Sequence, residues 1–176
     1  MNELSTGVLD GVDVSAFRRT MSRFPTFVTV ITAATPDGPV GCTATAVLSL
    51  SLEPPTMVVS LRTAGHTLAD ILRAGMFGVN ALAWQQRELI RRFATGRPDR
   101  RFDGVPYTVW DDVPVLDGAS ATVVCRLRET VSLLDHTLLV GTVARTGTGA
   151  TDPLVLLDGE SQVAVASAAW SEGGAR

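Results

Sequence analysis

Two histidines and two cysteines are the whole stock of soft ligands and strong nucleophiles in this 176-residue chain. Cys42 and Cys125 lack the CxxC spacing of a structural zinc site, so no metal centre is expected. His66 or His136 can be set in a Ser-His-acid triad only on paper. No GxSxG elbow, HExxH helix or P-loop occurs, and no GxGxxG opens a helix. An enzyme built from such residues borrows its chemistry from a cofactor. The densest cluster of ligand-capable groups is VGCTATAVLSLSLEPPTMVVSL, Val40–Leu61, which gathers Gly41, Cys42, Thr43, Ala44, Thr45, Ala46, Ser49 and Ser51. Small side chains let a planar ligand reach backbone N–H and C=O groups, while hydroxyls add donors for ring carbonyls or phosphate oxygens. Relief of crowding between two packed strands uses the same residues, and composition alone favours that plainer use.

The surrounding chain sets limits on what this cluster can serve. A hydrophobic content of 45% over 176 residues suits one domain with its own core. The net charge of −3 is too mild for nucleic acid or an anionic membrane surface. Apolar runs are broken by Gly, Pro or charge well short of the ~20 residues a membrane span needs. No secretory leader pattern is read at the N-terminus, so a cytoplasmic protein with reduced thiols is expected, although spacing alone leaves a Cys42–Cys125 disulfide open.

Several elements must position the cluster. Ser15 is placed to cap a short helix with Phe17, Met21 and Phe24 on one face, ended by Pro25. Thr26–Ala34 is rich in β-branched residues and reads as a strand, followed by the turn Pro36-Asp37-Gly38-Pro39. Val40–Leu52 reads as a second strand, closed by Glu53-Pro54-Pro55, and Thr56–Leu61 as a third. A helix is expected over His66–Arg73 with Gly75 at its C-cap, then a strand over Met76–Leu82 and a helix over Trp84–Ala94. The charged run Gly96–Gly104 reads as a mobile loop. Extended segments follow around Tyr107–Trp110, Ala121–Leu134, Leu138–Thr146 and Pro153–Leu157, with another at Gln162–Ala166. Few helices among many strands, without βαβ alternation, predict a mainly β, antiparallel barrel with short helices inserted. Residues 14–167 form the expected domain, between flexible segments 1–13 and 168–176.

The order of the residues adds a resemblance. Gly-x-Thr-Ala-x-Ala, then Ser-Leu-Ser-Leu-Glu-Pro-Pro and an apolar strand, resembles the flavin reductase-like family, the FMN-binding split barrels. Further similarity lies in FRRTMSRFPTFVTVIT, FGVNAL, the QxxLxxxFA pattern, RRFDGV, VLDGA and DHTLLVGTV, so it spans roughly Phe17 to Leu157. The resemblance implies a split β-barrel homodimer with one flavin per protomer. It implies an NAD(P)H:flavin oxidoreductase that supplies reduced flavin to a partner monooxygenase. Carried over by position, Gly41, Cys42, Thr43, Ala44, Thr45 and Ala46 line the ring and ribityl chain. Ser60, Leu61, Arg62, His66 and Thr67 meet the pyrimidine side or phosphate. Asn80 and Phe93 lie beside the flavin, and His136 of Asp135-His136-Thr137 meets the nicotinamide. No side chain is expected to act as acid or base. FMN or FAD, and NADH or NADPH, all stay open.

Three departures accompany the resemblance. Phe27 and Leu134 stand where the family has glycine, and LLDGESQVAVA replaces the usual aromatic and basic ending. Phe27 and the altered ending motivate an alternative: a split barrel that binds flavin without turning over.

Overall fold

The computed structural model describes residues 11–165. The expected flexible tail 168–176 lies outside the described residues, as does most of segment 1–13. The first helix, α1 (Val14–Ser22), is capped by Asp13 rather than Ser15: the Asp13 carboxylate accepts from Ala16 N–H. A carboxylate suits that position because the first turn has free N–H donors and a positive dipole end. Phe17, Met21 and Phe24 do not reach the core; α1 buries no residue.

The β-branched run expected as one strand divides at Val28. Strand β1 (Thr26–Phe27) leaves to pair with β11 (Leu154–Leu157), while β2 (Thr29–Thr35) pairs with β3 (Gly38–Ala44) and β6 (Met76–Ala81). Val28 is fully buried at the branch, and its carbonyl accepts from Leu82 N–H. The second expected strand divides as well. Its halves are β3 and β4 (Val47–Leu52), and β4 pairs with β5 (Pro55–Arg62). Two long strands, β9 (Ala121–Leu133) and β10 (His136–Thr148), complete a seven-stranded sheet of order β3-β2-β6-β9-β10-β5-β4. Strand β12 (Glu160–Val163) joins β1 and β11 in a small sheet, and β7 (Tyr107–Trp110) with β8 (Val113–Leu116) forms a hairpin. β8 has no counterpart in the sequence reading.

Helix α2 (His66–Ala74) ends where Gly75 adopts φ +69°, the left-handed cap that glycine takes without strain. It seats Leu68 and Ile71 in a core with Ile31, Val59, Phe77 and Leu139. Helix α3 (Arg87–Thr95) follows a 3₁₀ turn at Trp84–Gln86 and buries Leu89 and Phe93 in a second core with Val28, Val30, Leu82 and Leu154. Burying side chains of this size stabilises the fold by about 1.5–3 kcal/mol each. The segment expected as a mobile loop is packed instead. It carries a 3₁₀ turn at Pro98–Arg100, and Phe102 meets both Phe93 and Tyr107 edge to face at 5.1 and 5.5 Å.

Candidate functional site

The site arises from the way the sheet is closed. β3 and β4 are consecutive in the chain yet occupy opposite edges of the seven-stranded sheet. Thr45 and Ala46 alone carry the chain from one edge to the other. Ala46 is held there by its carbonyl, which accepts from Ser60 N–H at 2.9 Å. The barrel is therefore split at this crossing, and two exposed small residues form the floor of the gap.

A cavity of about 610 Å³ fills the split. Its walls bring together Cys42, Thr43, Ala44, Thr45 and Ala46, then Ser60, Leu61 and Arg62 from the end of β5. His66 and Thr67 from the start of α2, Phe93 from α3, and His136 from the start of β10 complete the set. Two residues singled out in the sequence lie elsewhere. Gly41 does not line the cavity: a Cβ there would come within 3.0 Å of the Ile31 carbonyl and 3.1 Å of the Phe93 ring. Its small size lets α3 close over β3. Asn80 is fully buried away from the cavity. Its amide donates to the Val30 carbonyl and Thr32 Oγ1 and accepts from Leu116 N–H, so it ties β2, β6 and β8 together.

The hydroxyls of the opening cluster divide in the same way. Thr43 Oγ1 donates to the Ile90 carbonyl at 2.9 Å and so anchors α3. Ser51 Oγ accepts from Glu53 N–H in the β4–β5 turn. Ser49 and Ser51 lie outside the cavity, and Thr45 keeps an exposed hydroxyl on its wall.

Among the described residues no carboxylate lines the cavity, although the chain holds 18 Asp and Glu. Its charged and titratable lining consists of Arg62, Arg101, His66, His136 and Cys42. Burial pushes the Cys42 thiol up, despite a hydrogen bond with Thr67 and the nearby Arg101 charge, so it stays protonated at neutral pH. Cys125 is pushed up to about 12 by burial alone, and both cysteines are free. Neither thiol is an activated nucleophile. Asp135 sits beside the cavity mouth, where a hydrogen bond and the charge of His136 hold its carboxyl below the usual range. The Asp135 carboxylate lies 2.8 Å from His136 Nδ1, which fixes the ring and leaves Nε2 free.

Arg101 is the charged lining residue that residue-by-residue reading missed. It stands in RRFDG, a segment read as a charged loop and as part of the family resemblance, with no site role given to this arginine. Its Nη1 donates to the Gly41 carbonyl at 2.7 Å and its Nε to the Gly96 carbonyl at 3.1 Å. An arginine beside Phe102, whose ring packs on Phe93, was the available signal. Phe27, in contrast, pairs with Val155 in the small sheet and does not touch the cavity. Leu134 occupies the β9–β10 turn at φ +54°, the left-handed region that favours the glycine it replaces.

The chain is thus a split antiparallel barrel with an arginine- and histidine-lined cavity at the crossing. The family model described as the flavin reductase like domain matches residues 21–164, and the chain belongs to that family. The chain is 35% identical over 150 residues to the FMN reductase (NADH) SmoA of Agrobacterium fabrum (strain C58), covering 85% of each. Among solved structures, the styrene monooxygenase flavin reductase (SMOB) of Pseudomonas putida S12 is similar at 31% identity and TM-score 0.77, over 86% of this chain and 98% of that one. The Streptomyces globisporus C-1027 NADH:FAD oxidoreductase SgcE6, in complex with NAD and FAD fragments, is similar at 26% identity and TM-score 0.82, over 91% and 99%.

Proposed function

We propose that the chain is an NADH-dependent flavin reductase that passes reduced FMN or FAD to a monooxygenase. The observation that carries this is the cavity at the β3–β4 crossing, lined by small residues and cations and, among the described residues, by no carboxylate. Its size falls within the ~300–1,000 Å³ of small-molecule sites. The lining fits an anionic, planar group: Thr45 and Ala46 leave room for a ring, and Arg62, His66 and the α2 N-terminus suit its phosphate. Hydride transfer from nicotinamide to the flavin ring is the chemistry the two cofactors supply. The chain's part is to hold the rings in contact and keep the pose aligned. His136, with its Nδ1 side fixed by Asp135, is assigned to the nicotinamide. The binding roles of the other lining residues follow the same reading.

The active unit in this reading is a homodimer. On one face of the sheet, Leu48, Val58 and Val140 stand in register across β4, β5 and β10, with Glu129 of β9 beside Val140. The next rows are Ser60, Leu138 and Val131, then Arg62, His136 and Leu133. The face that bears cavity residues therefore continues into an apolar surface, with Leu48 and Leu133 about half exposed (51% and 52%). A second copy on this face covers the apolar rows and walls the cavity. Among the described residues no helix is long and apolar enough to cross a membrane. The free thiols suit a reducing compartment, and we assign the protein to the cytoplasm.

The test is oxidation of NADH or NADPH coupled to bleaching of FMN or FAD, with molar mass measured by light scattering. Turnover with a dimeric mass is expected. A folded protein that oxidises neither nucleotide with either flavin refutes the reductase reading. The non-turnover alternative loses one of its motives, because Phe27 stands away from the cavity.

A further inference from the structure

The turn between β9 and β10 carries an inference that rests on the reductase reading and extends its nucleotide site. Leu133 ends β9 and His136 begins β10, so Leu134 and Asp135 form the turn. Leu134 stands there at φ +54° and is fully exposed (103%). Both features act against the fold: a left-handed backbone crowds a Cβ, and an apolar side chain left in water gains nothing from burial. Among the described residues four non-glycines have positive φ. Asp111, Asp112 and Asp158 are three of them, and short polar side chains suit that region. Leu134 is the apolar exception.

The turn is also firmly held. Thr63 N–H donates to the Asp135 carbonyl at 2.9 Å, and Thr137 Oγ1 lies 3.0 Å from Thr63 Oγ1 and 3.4 Å from Ser132 Oγ. Strain that the surroundings impose in this way collects at ligand clamps. The support sets Leu134 beside the cavity: His136, two residues on, lines it, as does Arg62, its cross-strand partner on β5. Leu134 itself is outside the lining, one step beyond the mouth. About 610 Å³ is the volume of one small-molecule site, too small to enclose a flavin and a whole dinucleotide together. With the nicotinamide at His136, the adenosine half is the part left outside, and its flat ring is a surface that a leucine can cover.

We infer that Leu134 is a specificity-determining residue for the dinucleotide, packing its side chain on the adenosine end outside the cavity mouth. The contact is apolar, so it favours NADH over reduced nicotinamide mononucleotide (NMNH), which carries the same reacting ring without adenosine.

The test is steady-state oxidation of NADH and of NMNH at saturating FMN. Wild type should show the lower KM for NADH. Leu134→Ala keeps a Cβ in the left-handed turn but removes the apolar surface. It should raise the NADH KM about three- to tenfold and leave the NMNH KM within about twofold. Leu134→Gly, whose fold is relieved of strain, should show the same selective loss, so instability does not account for it. Leu134→Met, which restores apolar surface, should stay within about twofold of wild type with both nucleotides. An unmoved NADH KM in Leu134→Ala overturns the inference. So does an equal rise for NADH and NMNH, the sign that the turn acts only through His136. A lower molar mass of Leu134→Ala in light scattering overturns it in favour of a contact between two copies of the chain. Absent oxidation of both nucleotides by wild type overturns the reductase reading and this inference together, whereas turnover with an unmoved NADH-to-NMNH ratio overturns this inference alone.

Discussion

Asn80 separates what family resemblance implies from what the fold shows, and its replacement by leucine measures the difference. Resemblance places Asn80 beside the flavin; the structure makes it a buried knot with three hydrogen bonds. In Asn80→Leu the Leu116 N–H, which donates to Asn80 Oδ1 at 2.9 Å, is left inside without an acceptor. An orphaned buried donor costs about 1–3 kcal/mol. Loss of the 2.9 Å bond to the Val30 carbonyl adds about 1 kcal/mol. Thr32 Oγ1 still donates to the Pro114 carbonyl at 2.5 Å, so its 3.2 Å contact adds little. The sum is about 2–4 kcal/mol, a large share of the ~5–15 kcal/mol typical of a domain. For a chain of this length that lowers the melting temperature by roughly 5–15 °C. Wild type and variant should be compared by urea and thermal unfolding at one protein concentration. FMN affinity, measured well below the transition, should change less than about twofold, since no Asn80 atom lines the cavity. A stability loss under about 1 kcal/mol together with a tenfold weaker FMN complex refutes this assignment and returns Asn80 to the flavin site.

Three further outcomes are expected. His136→Ala should raise the NADH KM about tenfold while leaving FMN affinity intact, through loss of one oriented hydrogen bond; an unchanged KM removes His136 from the nicotinamide site. Leu134→Gly should stabilise the protein by about 0.5–1 kcal/mol, because relief of a left-handed leucine outweighs the entropy glycine adds to the unfolded chain; chemical unfolding that shows a loss refutes this. Asp135 has its carboxyl lowered in the folded state, so its stabilising effect is present above the ordinary carboxylate range and lost only as pH falls through the lowered value. Melting curves of wild type and Asp135→Asn should therefore converge as pH falls through that lowered range, and a difference that persists below it contradicts the assignment.

The helices and most strands were legible because their signals are local. Gly75 stops α2 where a left-handed cap is needed, and the apolar spacing of Leu68, Ile71 and Leu72 marks the helix before it, although Leu72 stays half exposed. The two broken strands were not legible, for a tertiary reason. Neither Val28 nor Thr45-Ala46 has turn chemistry; both are extended segments that change partners because the barrel must close. β8 was hidden by its brevity and by Pro114, which pairs with Val109 in a hairpin. In the site, Thr43 read as a ligand donor because its hydroxyl partner, the Ile90 carbonyl, lies 47 residues away. Arg101 was passed over within a charged loop for the same reason: the carbonyl it grips is 60 residues upstream.

These long-range partners also alter what the hydroxyl-rich stretch means for binding. Thr43 and Ser51 give their hydroxyls to backbone carbonyls of the protein, so part of the hydroxyl excess is spent on holding α3 and the β4–β5 turn. What remains for a ligand is of another kind: small contours at Thr45 and Ala46, exposed backbone at the split, and cations at the rim. Such a site grips charge and shape but offers few buried side-chain hydrogen bonds to a flavin ring. Strong side-chain bonds to the ring would slow its departure, and a reductase that hands its product to another enzyme gains nothing from a slow release. The same logic keeps carboxylates out of the lining, since a negative wall would repel the phosphate of FMN and both dinucleotides at entry. The crossing at Thr45-Ala46 thus serves two ends at once, carrying the chain between the sheet's edges and forming part of the cavity wall.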